Sequence, residues 1–189
     1  MNFNNVFGKY PYIDSERLVL KKIEEENSDD LFRIYSNSNV FKYCGIIPKK
    51  NYSTVKKMIG HFERDFNKKL NIKLGIFEKK SGMKLTGIIE LMNFKEKVNM
   101  CTVGYFLAEE YWGKGIATEA LKVLKKYLFA YTEINRIQAE VMPQNKASAN
   151  VLVKNGFLFE GCIKQGNFWP GKGVVDIDVY GFLREYSKE

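Results

Sequence analysis

A chain of 189 residues that is 45% hydrophobic and 28% charged has material for one soluble globular core, and a single domain over residues 1–189 is expected. No run approaches the roughly 20 consecutive apolar residues of a membrane-spanning helix. The start MNFNNVFGKYPYID lacks the basic-then-apolar order of a secretory signal, so a cytoplasmic protein with no membrane partner is predicted.

Residues 17–23 alternate apolar and polar and predict a first strand. From Asn27 or Ser28, cap residues and early acids lead into Leu31, Ile34 and Tyr35, the spacing of a short helix. Residues 37–51 read as a loop, with Gly45 and Pro48 in it, and Ser53 opens a second helix that runs to about Asn67. Three strands follow, at 72–77, 85–92 and 100–107, joined at Ser81-Gly82 and across the polar stretch 95–99. A helix from Lys114 to about Ala130 carries Ile116, Ala120, Leu121, Leu124 and Leu128 as its apolar stripe. A strand at 136–142, closed by Pro143, precedes a short helix at 145–155 that Gly156 stops. Strands at 157–163 and 174–183 finish the chain around a Gly- and aromatic-rich connection, 166–173. Antiparallel hairpins first and one α/β crossover later imply an α/β chain with a mixed sheet and helices on both faces.

The segment from Gly104 to Ala120 carries the strongest chemical signal. Its apolar run ends in acidic and aromatic residues, passes Gly113-Lys114-Gly115 and opens into a helix. Glycines at a strand-to-helix turn let the backbone approach a ligand, and the free N–H groups of the helix start then face it. That is a phosphate or pyrophosphate site needing no basic side chain. No acid follows at the spacing of a dinucleotide fold's ribose contact, and the Gly-Lys-Ser/Thr of a triphosphate loop is missing.

The three cysteines are scattered, without zinc or disulfide spacing, and no metal is expected. A net charge of +8 admits an anionic partner, yet no segment interleaves basic and aromatic residues as an RNA-binding motif does.

Four stretches together resemble the GNAT superfamily of acetyl-CoA-dependent N-acetyltransferases, in particular its branch acting on the N-termini of ribosomal proteins. They are Ser15-Glu-Arg-Leu-Val-Leu20, the Gly104–Ala120 segment, Asn145-Lys-Ala-Ser-Ala-Asn150 running on to Gly156-Phe157, and Glu160-Gly-Cys-Ile-Lys-Gln-Gly with Asp176-Ile-Asp-Val-Tyr180. The resemblance implies a seven-stranded, mostly antiparallel mixed sheet that splays between its fourth and fifth strands. Acetyl-CoA would lie in the splay. Its pantetheine would run along Tyr105, Phe106 and Leu107, and its pyrophosphate would meet the backbone of Gly113, Lys114, Gly115, Ile116, Ala117 and Thr118. Asn145, Ser148 and Asn150 would flank the pantetheine and thioester. The chain departs from the family at Glu110, where Gln or Arg is usual.

Acetyl transfer to an amine needs a base for the ammonium, a donor for the oxyanion and an acid for the departing thiolate. The tyrosine that many relatives place late in the second cofactor helix is missing here. Ser148 is the acid that the branch resemblance implies, against the plain reading of a helix-interior hydroxyl. Thr102 and Asn167 are neutral where relatives often carry acids, which turns the choice of base to Glu90 first and Asp176 second. Glu90, Asn167, Phe168 and Trp169 would contact the acceptor, the last two in a lid over it. The acceptor is expected to be a protein N-terminal amine. A polyamine or other small amine, for which Glu90 speaks, and a CoA-binding module without catalysis stand as alternatives, and monomer or oligomer is left open.

Overall fold

The computed structural model of the protein describes residues 4–188. Its strands are β1 (Ile13–Asp14), β2 (Leu18–Lys21), β3 (Ile72–Glu78), β4 (Lys84–Lys95), β5 (Met100–Leu107), β6 (Arg136–Val141), β7 (Leu158–Trp169) and β8 (Gly173–Leu183). They form one sheet in the spatial order β1-β2-β3-β4-β5-β6-β8-β7. Among the described strands only β5 and β6 pair in parallel, joined by the crossover through a helix. The mixed, mostly antiparallel sheet is as expected, with eight strands in place of seven. The extra strand is β1, whose two residues pair with Leu20 and Val19. Two residues are too few to show an alternation.

Among the described residues five helices cover the sheet: α1 (Asn4–Phe7), α2 (Ser28–Ser36), α3 (Tyr52–Asn67), α4 (Ile116–Tyr131) and α5 (Lys146–Lys154). α4, α5 and α1 pack on one face, burying Ile116, Leu121, Leu124 and Leu152 against Ile89, Val103 and Ile137. On the other face α2 and α3 bury Leu31, Ile34, Val55 and Ile59 against Val19, Phe77 and Ile88. Successive strand residues feed opposite faces, which is why Ile88 and Ile89 belong to different clusters.

The helix starts differ by a few residues from expectation. Asn51 caps α3 by accepting from Thr54 N–H, and α4 begins at Ile116 behind a left-handed Gly115. The Gly- and aromatic-rich connection 166–173 is mostly strand. β7 continues to Trp169, pairs it with Gly173, and turns through Gly171 at φ 74°. A register shift between Ile163 and Asn167 absorbs the irregular stretch that looked like loop in one dimension.

The ladder between β5 and β6 holds only Met100, Cys101 and Thr102 against Arg136, Ile137 and Gln138. Past Thr102 the two strands part. The splay lies between the strands expected to form it.

Candidate active site

The free end of β5, the start of α4, one side of α5 and the loop after α2 enclose a cleft of about 420 Å³. Tyr105, Phe106, Leu107, Gly113, Ala117, Asn145 and Ser148 line it, so two ends of the chain's expected donor site meet across the splay. Gly113 and Gly115 have φ of 73° and 75°, and a Cβ on Gly113 would meet open space. The need for glycine there is conformational: the chain turns left-handed twice to aim the first turn of α4 at the cleft. Ile116 sends its side chain into the core, 1% exposed, and leaves only its backbone toward the turn. Lys114, Gly115 and Thr118 complete the turn without lining the cleft. Asn150 lies on the exposed side of α5, also outside the lining.

A polar clasp fixes this turn. Arg17 donates from Nε to Glu119 at 2.6 Å and from its terminal nitrogen to the Lys114 carbonyl at 3.2 Å, while Ser15 Oγ donates to Glu119 at 2.9 Å. Partial burial works against the Glu119 charge, but the hydrogen bonds from Ser15 and Arg17 prevail and hold its carboxyl below the usual range. Glu110, the departure from the family pattern, turns to α2, where it pairs with Arg33. Its neighbour Glu109 accepts from the Asn37 and Asn39 side chains at 2.8 and 3.0 Å. The loop after α2 is thereby tied to the segment before the glycine turn.

Asn39, Val40, Lys42, Tyr43, Cys44 and Trp112 also line the cleft, and nothing in the sequence marked them as site residues. At its inner end Ser148 Oγ donates to Tyr105 Oη at 3.1 Å, and Tyr105 Oη donates to the Ser148 carbonyl at 3.0 Å. Burial pushes the Tyr105 phenol up, so it stays neutral. Asn145 caps α5, its side chain accepting from Ser148 N–H at 3.2 Å.

The expected bases are both engaged. Glu90 forms an ion pair with Lys73, its cross-strand partner, with both side chains largely buried. Burial brings Lys73 down to about 8, against the pull of Asp65. Asp176 sits on the outer hairpin, accepting from Gln165 N–H and Lys164 Nζ, each at 2.9 Å, and the Gln165 and Lys164 bonds hold its carboxyl low. Asn167 accepts from Phe168 N–H at 2.9 Å on the same hairpin. Phe168 is 68% exposed there, whereas Trp169 packs on the loop after α2: a Cβ on Gly45 would come within 2.9 Å of its Cγ. That contact joins the outer hairpin to the loop after α2, whose Asn39, Val40, Lys42, Tyr43 and Cys44 line the cleft.

A second cleft, of about 400 Å³, opens where the β5–β6 ladder ends, lined by Met100, Thr102, Gln138 and Glu140 among others. Glu140 accepts from Gln138 Nε2 at 3.2 Å and has no cation paired with it among the described residues. Arg136, in turn, donates to Gln138 and is held by Glu160 at 2.5 Å. The signal was there as alternation: Arg136, Gln138 and Glu140 are half-buried between buried Ile137, Ala139 and Val141. Among the described residues no group of three or more His, Cys, Asp or Glu could hold a metal, and no helix is long and apolar enough to cross a membrane.

The family model described as acetyltransferase (GNAT) domain matches residues 17–158. The chain belongs to the GNAT acetyltransferase family. This GNAT chain is 29% identical over 175 residues to YoaA of Bacillus subtilis (strain 168), an uncharacterised N-acetyltransferase, covering 93% of this chain and 98% of that one. To the ribosomal-protein-serine acetyltransferase of Escherichia coli (strain K12) it is 32% identical over 96 residues, about half of each protein, at 51% and 53%. The solved structure of the microcin C7 self-immunity acetyltransferase MccE, in complex with acetyl-CoA and AMP, superposes with a TM-score of 0.80 at 21% identity, over 89% of this chain and 93% of that one. The protein is thus a GNAT acetyltransferase that uses acetyl-CoA as donor.

Proposed function

We propose that this acetyltransferase acetylates a protein N-terminal amine that enters from the α2/α3 face, with Glu140 as the group that receives its proton. One observation carries the assignment. Glu140 is a carboxylate with no ion-pair partner among the described residues, in a cleft it shares with Lys95 where the β5–β6 ladder ends, while Glu90 is committed to Lys73. The half-length likeness to the ribosomal-protein-serine acetyltransferase supports a protein N-terminus as acceptor.

In this reading the glycine turn and the first N–H groups of α4 hold the pyrophosphate. The arm of the donor lies along Tyr105, Phe106 and Leu107, between edges that no ladder occupies. Glu140, directly or through one water, takes the proton from the ammonium so that the amine attacks as a neutral nucleophile. A backbone N–H of β5, near Leu107, bonds the oxyanion of the tetrahedral intermediate. As that intermediate collapses, the C–S bond breaks and Ser148 Oγ protonates the thiolate, with the buried neutral phenol of Tyr105 as the next hydroxyl in line.

Incubation with acetyl-CoA, a panel of peptides and spermidine, with thiol release and the acetylated atom both read out, tests the proposal. Glu140→Gln is expected to lower kcat on peptides by roughly 10²-fold or more. Acetylation of spermidine alone, or full kcat in the variant, would overturn it.

A further inference from the structure

The two helices that border the donor cleft are locked to each other at one residue. Asn155 follows the last turn of α5, about two turns beyond Ser148, and is only 5% exposed. Its side-chain amide has two N–H donors, and both are used. One goes to the Val151 carbonyl at 2.9 Å, within α5, and the other to the Thr118 carbonyl at 3.2 Å, in the first turn of α4. The Asn155 backbone carbonyl accepts from Lys125 Nζ at 2.5 Å, about two turns further along α4. Lys125 is itself seated over the Phe182 ring, 3.8 Å from its centroid. Gly156, left-handed at φ 80°, then turns the chain away, and Phe157 N–H returns to the Leu152 carbonyl at 3.1 Å. A cap that served α5 alone would need only the bonds to Val151 and Leu152. The bonds to Thr118 and from Lys125 reach across 37 and 30 positions of sequence and hold two points of α4.

From this junction we infer that Asn155 is a positioning residue for the donor. It sets the span between the glycine turn at the start of α4, where the pyrophosphate lies, and the Ser148–Tyr105 hydroxyls at the thioester. The inference rests on the donor placement proposed above. A long ligand gripped at two places gains from both only when their separation matches its own length. Each helix carries one grip: the free N–H groups after Gly115 on α4, and Ser148 beside Tyr105 on α5. A methyl or a carboxylate at 155 removes both amide donors, so the helices settle at a new offset while each keeps its own grip. A misplacement of about 1 Å at a reacting group costs roughly 10²-fold in rate.

The test measures binding of three ligands to the intact protein. CoA spans both grips, ADP carries the pyrophosphate without the arm, and pantetheine carries the arm without the pyrophosphate. In Asn155→Ala and Asn155→Asp, CoA is expected to bind about tenfold or more weakly, with ADP and pantetheine each within about twofold of the parent. The KM for acetyl-CoA should rise and kcat fall in the same variants. Equal weakening of all three ligands, or of none, would assign Asn155 to fold stability alone and overturn the inference. Should both variants fold poorly, Lys125→Met decides, since it cuts the second tie and spares the amide bonds. Selective loss of CoA there supports the inference, and no selective loss overturns it. Gly115→Val checks the donor placement separately and is expected to lose ADP while keeping pantetheine. Unchanged ADP binding in that variant would overturn the placement and the inference with it. Loss of ADP there, beside equal weakening of all ligands in the variants at 155, would overturn the role of Asn155 only.

Discussion

Ser148 and Tyr105 reach each other from different elements, α5 and β5, and in the proposed mechanism each hydroxyl serves the other. A serine alone is a weak acid, but its Oγ lies 3.1 Å from a phenol that burial keeps neutral. Ser148→Ala is expected to lower kcat by roughly 10–100-fold, and Tyr105→Phe by a smaller factor, with the KM for acetyl-CoA nearly unchanged in both. Steady-state kinetics with varied acetyl-CoA checks this, and a loss confined to KM would assign the pair to donor binding instead. Ser148 could be singled out from its place in a recognisable stretch. The Tyr105 hydroxyl could not, since it was read as strand backbone, and its partner lies 43 positions away. Glu90 shows the converse. An acid in an apolar strand looks like a pocket carboxylate until the register brings Lys73 opposite it. Glu140, the proposed base, was not singled out because an alternating strand explains a half-buried acid without any function.

At the level of elements, the glycine turn depends on the segment before β2. Glu119 sits in the first turn of α4, where its charge opposes a bound pyrophosphate, and Arg17 both neutralises it and holds the Lys114 carbonyl. The carboxyl of Glu119 is held below its value in the unfolded chain, near 4.3 for a free glutamate. The stability it contributes is therefore fully present above that pH and is lost as pH falls through the lower folded value. Glu119→Gln should lower stability by about 1 kcal/mol at neutral pH, allowing for the exposure of Arg17, with the gap from the parent closing below about pH 4. Thermal melts across pH 3–7 measure it, and a difference that persists in acid would deny the clasp its role. The helices and long strands were legible from their periods, 3.6 and 2, because each buries one stripe or face. β1 and the outer half of the β7–β8 hairpin were not. The first is too short for a pattern, and the second owes its order to Trp169 seated on Gly45, a contact between segments more than a hundred residues apart.

Taken as a whole molecule, the one sheet is held together at its middle by a seam of three residue pairs, Met100 to Thr102 against Arg136 to Gln138. The strands from β1 to β5 stand on one side and β6, β8 and β7 on the other, with α4 and α5 bridging them through the core. A zip closed only at its lower end can breathe at the upper one. Edge amides of residues 103–107 and 139–141 should therefore exchange faster than those inside β3 and β4, and slow when acetyl-CoA or CoA is added. At a concentration 100 times its Kd the ligand should also stabilise the fold by about 2.7 kcal/mol. Hydrogen exchange followed by mass spectrometry reads both states, and equal protection of the two edges with and without ligand would rule this out. Since the donor's arm would stand in for the missing rungs, the enzyme's mechanical integrity and its readiness to react would rise together. A charged donor would make a stiffer protein, and each turnover would end with the zip partly undone.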